Sequence, residues 1–162
     1  MPSYTLHITA AVTDCTLSKV ANSSVRVKLS CGSCREAAEK FSVISLADAL
    51  LPIPGSRGEV HLLQRCHACR EQANVTLLKL RTEPFDAPSL EAAAGAALCT
   101  IECRGCEPVG WQAGDGWAVA ALGDGGASWE ATFDEEDAFT EFDEAAGVPV
   151  TVEALAGVWR KD

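Results

Sequence analysis

No stretch of this 162-residue chain approaches the roughly 18 consecutive apolar residues that a membrane-spanning helix needs, so no span is expected. The opening Met1-Pro2-Ser3-Tyr4-Thr5-Leu6-His7 lacks a basic segment followed by an apolar one. No secretory signal is expected there, and the expected address is the cytoplasm or nucleus. Glycine (13) and proline (7) are too few for a collagen-like or low-complexity chain. Catalytic signatures are missing as well. There is no glycine-rich phosphate loop, no Gly-x-Ser-x-Gly elbow and no His-Glu-x-x-His, and the three histidines His7, His61 and His67 make no recognisable set. The expectation is a protein that is not an enzyme.

A further scarcity is regional. Between Gly105 and Trp159 there is no lysine or arginine, so residues 105–162 hold 2 basic against 13 acidic side chains, while residues 1–104 hold 11 against 10. The total is a net charge of −10. All four tryptophans (Trp111, Trp117, Trp129, Trp159) lie in the acidic part, and all eight cysteines lie between positions 15 and 106. An acidic surface repels phosphates, so neither nucleic acid nor a membrane is an expected partner. The most basic stretch, Arg26–Arg70, reaches only +3, with Phe41 as its single aromatic for base stacking. An unidentified protein partner fits better, and the acidic, tryptophan-bearing back is the candidate docking face. The run Asp134-Glu135-Glu136-Asp137 lacks the spaced ligands and central glycine of a calcium loop.

With 48% apolar residues and 22% charged, the composition is globular, and the length suits a single domain over 1–162. Within it the sequence divides into a cysteine-bearing lobe, about 24–80, and an acidic lobe, about 98–162. Alternation reads mostly as strands. Leu6, Ile8, Ala10 and Val12 mark a first strand, and Val25, Val27 and Leu29 one that runs into Cys31. Return strands are expected near Phe41–Leu46, before Cys66, after Cys69, and over Leu98–Arg104. Loops are expected at 51–58 and at 83–90, which holds Pro84 and Pro88. A helical turn is expected over Glu91–Ala97. Two short strands flank Gly123-Asp124-Gly125-Gly126, a short helix or irregular loop covers Asp134–Ala146, and Val148–Val152 closes as an edge strand because of Pro149. The predicted class is mainly β with little helix, a compact barrel-like or sandwich protein.

One repeat carries chemistry. Cys31-Gly32-Ser33-Cys34-Arg35-Glu36 and Cys66-His67-Ala68-Cys69-Arg70-Glu71 agree at four of six positions, each between two strand patterns. A tight turn lets both thiolates of a Cys-x-x-Cys point the same way while backbone N–H groups hydrogen-bond them. Two such knuckles place Cys31, Cys34, Cys66 and Cys69 around one tetrahedral Zn²⁺. Iron accepts the same ligands, but nothing here suggests electron transfer. Arg35 and Arg70 are candidates to screen the thiolates from just outside the site. Cys103-Arg104-Gly105-Cys106 is a third Cys-x-x-Cys and a candidate reactive pair. The leading expectation is one structural zinc in a non-catalytic protein that acts through protein contacts. The alternative is a thiol-based redox or metal-handling protein that releases zinc on oxidation.

Beyond the knuckles, Gly55-Ser56-Arg57-Gly58, Glu102-Cys103-Arg104-Gly105-Cys106-Glu107-Pro108 and Phe142-Asp143-Glu144-Ala145-Ala146-Gly147 are also familiar. With both knuckles, their order and spacing over nearly the whole chain resemble the eukaryotic CXXC motif-containing zinc-binding protein family. That resemblance implies a mainly β, roughly barrel-like body, one zinc on Cys31, Cys34, Cys66 and Cys69, and no established reaction. The family often carries leucine at the position of Cys106, and its counterpart of residues 91–97 is more polar.

Overall fold

The computed structural model describes residues 2–123, 125–133 and 138–162. Among these, fourteen strands and one short helix follow one another. Ser3–Thr13 (β1) and Cys15–Lys19 (β2) are separated only by Asp14, which turns the chain with a φ of 57°. Val25–Cys31 (β3) and Ser42–Ile44 (β4) come next, then the two-residue pieces Leu51–Pro52 (β5) and Glu59–Val60 (β6). Leu62–Arg65 (β7) and Gln72–Leu80 (β8) precede the helix Ala87–Glu91 (α1). The remainder comprises Ala96–Arg104 (β9), Cys106–Gln112 (β10), Gly114–Ala121 (β11), Ser128–Phe133 (β12), Phe139–Asp143 (β13) and Val148–Lys161 (β14).

The strands form a six-stranded sheet, ordered β13-β14-β1-β9-β8-β7, that curls as a half-barrel. Two three-stranded sheets, β10-β3-β4 and β12-β11-β2, complete the fold with the small β5-β6 pair. The fold is therefore mainly β, as its alternation predicts. Corners pass the chain from one sheet to the next. Asp14 carries it from the large sheet to β2, Gly105 carries it to β10, and Gly114 carries it on into β11. The cysteine-bearing front and the acidic back are hydrogen-bonded to each other: β3 pairs with β10, β2 with β11, and β1 with β14.

Alternation explains the core. Leu6, Ile8, Ala10 and Val12 point inward from β1, and Val25 and Val27 from β3. Each leucine, isoleucine or valine among them contributes about 1.5–3 kcal/mol by leaving water. Trp117 lies at the centre, edge-on to Trp111 and to Phe133 with ring centroids 6.2 and 6.0 Å away, and its Nε1 donates to the Ala113 carbonyl at 2.9 Å.

Three sequence expectations need correction. The helix lies in the predicted 83–90 loop, not over Glu91–Ala97. The Asp86 carboxylate caps it by accepting from the Ser89 N–H at 3.0 Å, and proline is tolerated in the first turn. By Gly95 (φ 70°) the chain is already turning into β9. Two strands were not legible: β10 because it contains Pro108 and Gly110, and β2 because its inward position 19 is a lysine. Phe139–Asp143 is an edge strand, neither helix nor irregular loop. β14 is an interior strand of fourteen residues, and its pairing with β1 covers Thr151–Lys161. Pro149 precedes that stretch and faces only Phe142 of β13, so the missing N–H interrupts no ladder with β1.

Lys19 is 2% exposed. Its ammonium donates to the Asp115 carbonyl at 2.6 Å and lies 4.8 Å from the Trp117 ring centroid. Burial disfavours the charge and lowers the pKa to about 8, against some support from Asp115. Above pH 8 and up to the ordinary lysine value near 10.5, the unfolded chain therefore binds more protons than the folded one. The Lys19 contribution to stability rises with pH across that window. Urea midpoints at pH 7.5 and 10 should show this rise in the wild type relative to Lys19→Met; parallel pH dependences in the two proteins would contradict it.

Candidate metal centre

Each Cys-x-x-Cys forms the same turn. The first follows β3; the second links β7 to β8 across the Arg65–Gln72 pair. In the first, Arg35 N–H donates to the Cys31 carbonyl at 3.0 Å and Cys31 N–H to the Glu36 carbonyl at 2.9 Å. In the second, Arg70 N–H donates to the Cys66 carbonyl and Cys66 N–H to the Glu71 carbonyl, both at 2.9 Å. Arg35 and Arg70 close these turns in the left-handed region, with φ of 66° and 67°. Their side chains are exposed, and no ion pair joins either one to a carboxylate among the described residues.

The two turns face each other. The sulfurs of Cys31, Cys34, Cys66 and Cys69 all lie within 4.8 Å of one another. Across the turns, Cys31 Sγ and Cys69 Sγ are 3.6 Å apart, and Cys34 Sγ and Cys66 Sγ 3.5 Å. A disulfide needs about 2.05 Å. A tetrahedral zinc with Zn–S bonds of about 2.3 Å needs sulfurs about 3.8 Å apart. The cluster thus has the dimensions of a four-sulfur metal site and not of paired disulfides.

Backbone dipoles prepare the site for negative charge. The Cys66 thiol is held down to about 6 by the N–H groups of Cys69 and Ala68. Cys31, which occupies the same place in its knuckle, is lowered by the N–H groups of Cys34 and Ser33. At the other end of the second knuckle, the Glu71 N–H favours the Cys69 thiolate, but desolvation and the sulfur of Cys31 outweigh it and push the thiol up to about 12. The Glu36 N–H acts likewise on Cys34, which desolvation and Cys66 still raise. A divalent cation relieves this crowding, because it displaces the protons and pairs with the thiolates.

Three supports were not legible in the sequence. Gly32 N–H donates to the Gly105 carbonyl at 2.9 Å, which anchors the first knuckle to the β9–β10 corner. A β-carbon on Gly32 would lie 3.1 Å from the Gly105 carbonyl carbon and oxygen, so a larger residue there would press on that corner. His67 Nε2 stands 4.0 Å from a Glu36 carboxylate oxygen on the exposed side of the two knuckles. Cys106 pairs in register with Cys31 across β10 and β3. Of the third Cys-x-x-Cys, Cys103 is fully buried on β9 and Cys106 is 8% exposed. Neither belongs to the four-sulfur cluster. Asp134-Glu135-Glu136-Asp137 lies outside the described residues.

The fold and site define a mainly β protein with a tetracysteine metal centre held on two knuckles. Residues 5–160 match the model of the family described as CXXC motif containing zinc binding protein, eukaryotic, and the chain belongs to that family. It is 32% identical over 120 residues to the Xenopus laevis CXXC motif containing zinc binding protein, covering 74% of this chain and 72% of that protein. The human protein of the same description is 31% identical over the same shares. The crystal structure of C1orf123 superposes with a TM-score of 0.85 at 26% identity, covering 99% of both chains. A hypothetical protein from Plasmodium falciparum shares the fold alone, with a TM-score of 0.79 at 13% identity.

Two outcomes are expected. Cys66→Ser should abolish stoichiometric zinc in a native mass spectrum, whereas Cys15→Ser, outside the cluster and buried on β2, should leave it. Gly105→Ala forces a φ of 76° on alanine and places its β-carbon 2.9 Å from the Gln72 carbonyl oxygen. A loss of about 1–3 kcal/mol in urea unfolding is expected, with faster amide exchange in the first knuckle.

Proposed function

We propose that this chain is a non-catalytic protein of the cytoplasm or nucleus in which one zinc ion ties the two knuckles together and a surface contacts a partner protein. The observation that carries the reading is the four-sulfur cluster. Cys31, Cys34, Cys66 and Cys69 would complete a tetrahedral shell, and a complete shell has no position for water or substrate. The zinc would supply folding energy to the cysteine-bearing end in place of a local hydrophobic core. The family's description as zinc binding supports the choice of metal.

The contact surface is the acidic back. Glu130 on β12, Glu141 on the edge strand β13, Glu144 in the turn that follows it and Glu153 on β14 are all exposed. Phe142, next to Glu141 in the chain, is 53% exposed. Exposed carboxylates and an exposed aromatic in the same part of the chain suit a basic partner segment with an apolar anchor, and the same charge disfavours nucleic acid. The thiol-based alternative draws on a different observation. Cys34 is exposed, and the thiolates of the second knuckle are only partly covered, so an oxidant reaches the metal shell directly.

A native mass spectrum of untagged protein separates the two. One zinc per chain that survives mild peroxide supports the structural role; reversible zinc loss with disulfides among the knuckle cysteines supports the redox role. For the contact surface, capture of partners by wild type should be lost on combining Glu130→Gln, Glu141→Gln, Glu144→Gln and Glu153→Gln. Undiminished capture by that variant would exclude the acidic face.

A further inference from the structure

Cys103 and Cys106 stand outside the metal cluster, yet they are built into its support. Cys103 lies near the end of β9 opposite Val75, and Cys106 opens β10 opposite Cys31. Gly105, at φ 76°, makes the corner between them. The Cys106 thiol also points toward the Asn74 carbonyl at 3.8 Å. Cys103 is sealed, but Cys106 lines two cavities. One, of about 210 Å³, opens to solvent beside Tyr4, Arg35 and Glu107. The other, of about 30 Å³, is shared with Cys31 and Cys66 of the metal cluster.

The corner between the two cysteines has no slack. On one side the Gly105 carbonyl accepts the Gly32 N–H of the first knuckle. On the other, a β-carbon at Gly105 would come within 2.9 Å of the carbonyl oxygen of Gln72, the first residue of the strand leaving the second knuckle. A bond between the two sulfurs closes a ring through Gly105, so any backbone adjustment it requires reaches the peptide on which the first knuckle rests.

We infer that Cys103 and Cys106 form an oxidisable dithiol that accepts a disulfide from a low-molecular-weight disulfide such as oxidised glutathione, and that this oxidation loosens the adjacent zinc knuckle. In the first step the Cys106 thiolate, reached through the outer cavity, attacks one sulfur of the small disulfide. A mixed disulfide forms and one small thiolate leaves. The Cys103 sulfur then attacks the Cys106 sulfur, its proton passing to the second small thiolate as that leaves, and the Cys103–Cys106 bond forms. The two protein thiols lose two electrons and two protons, and the small disulfide becomes two thiols. The coupling to zinc rests on the metal reading above, whereas the formation of the disulfide does not.

The test uses the full, zinc-loaded chain in glutathione buffers of increasing oxidised fraction, with alkylation, peptide mapping, native mass and zinc transfer to a chromogenic chelator. The expected result is a mass loss of about 2 Da mapped to a Cys103–Cys106 disulfide while one zinc is still bound. Zinc transfer should then be several-fold faster than from the reduced protein. Cys106→Leu and Cys106→Ser should each abolish both the mass loss and the acceleration. A zinc-loaded protein with no mass loss overturns the inference, as do disulfides confined to the knuckle cysteines. Zinc transfer unchanged by a mapped Cys103–Cys106 disulfide overturns the coupling. Absence of zinc from the starting protein would instead sink the metal reading, and the mapping would still decide the dithiol.

Discussion

Four sulfurs within 4.8 Å of one another set the terms for one end of this protein. As thiolates they repel, and as thiols they form only weak hydrogen bonds, so the cluster needs an offsetting positive charge. The fold supplies part of it through the N–H groups of residues 33, 34, 68 and 69, which aim at Cys31 and Cys66. A bound zinc supplies the rest. Because the two knuckles come from different sheets, β10-β3-β4 and the large half-barrel sheet, a metal there also ties two sheets together at their ends.

The remainder of the molecule reaches the same result by other means. Corners at Asp14, Gly105 and Gly114 move strands between sheets, and the apolar faces that result close over Trp117, Phe133 and the β1 side chains. Gly105 belongs to both systems. It is a corner of the barrel-like core and the acceptor for the first knuckle, so packing strain and metal geometry meet at one peptide.

Strongly patterned parts of the fold were legible in the sequence. β1 and β3 have strict alternation, and the repeated Cys-x-x-Cys-Arg-Glu marks both knuckles. Even the matching arginines have a visible structural place, the left-handed residues that close each turn. What escaped was whatever interrupts a pattern while still serving it. Lys19 is a charge at an inward position, made tolerable by the Asp115 carbonyl and the Trp117 ring. Pro108 and Gly110 sit inside β10, and Pro88 sits inside a helix that Asp86 caps.

By itself, the sequence determined the class of fold and the metal-binding residue types. Those follow from local rules: side-chain period, turn chemistry and the reach of a Cys-x-x-Cys. Only the tertiary structure decided that β10 lies against β3, that Cys106 stands beside Cys31, and that the Gly105 carbonyl supports Gly32. Such neighbours are separated by some 70 residues of chain, and their meeting depends on sheet order and register. Both are set by how the whole core packs.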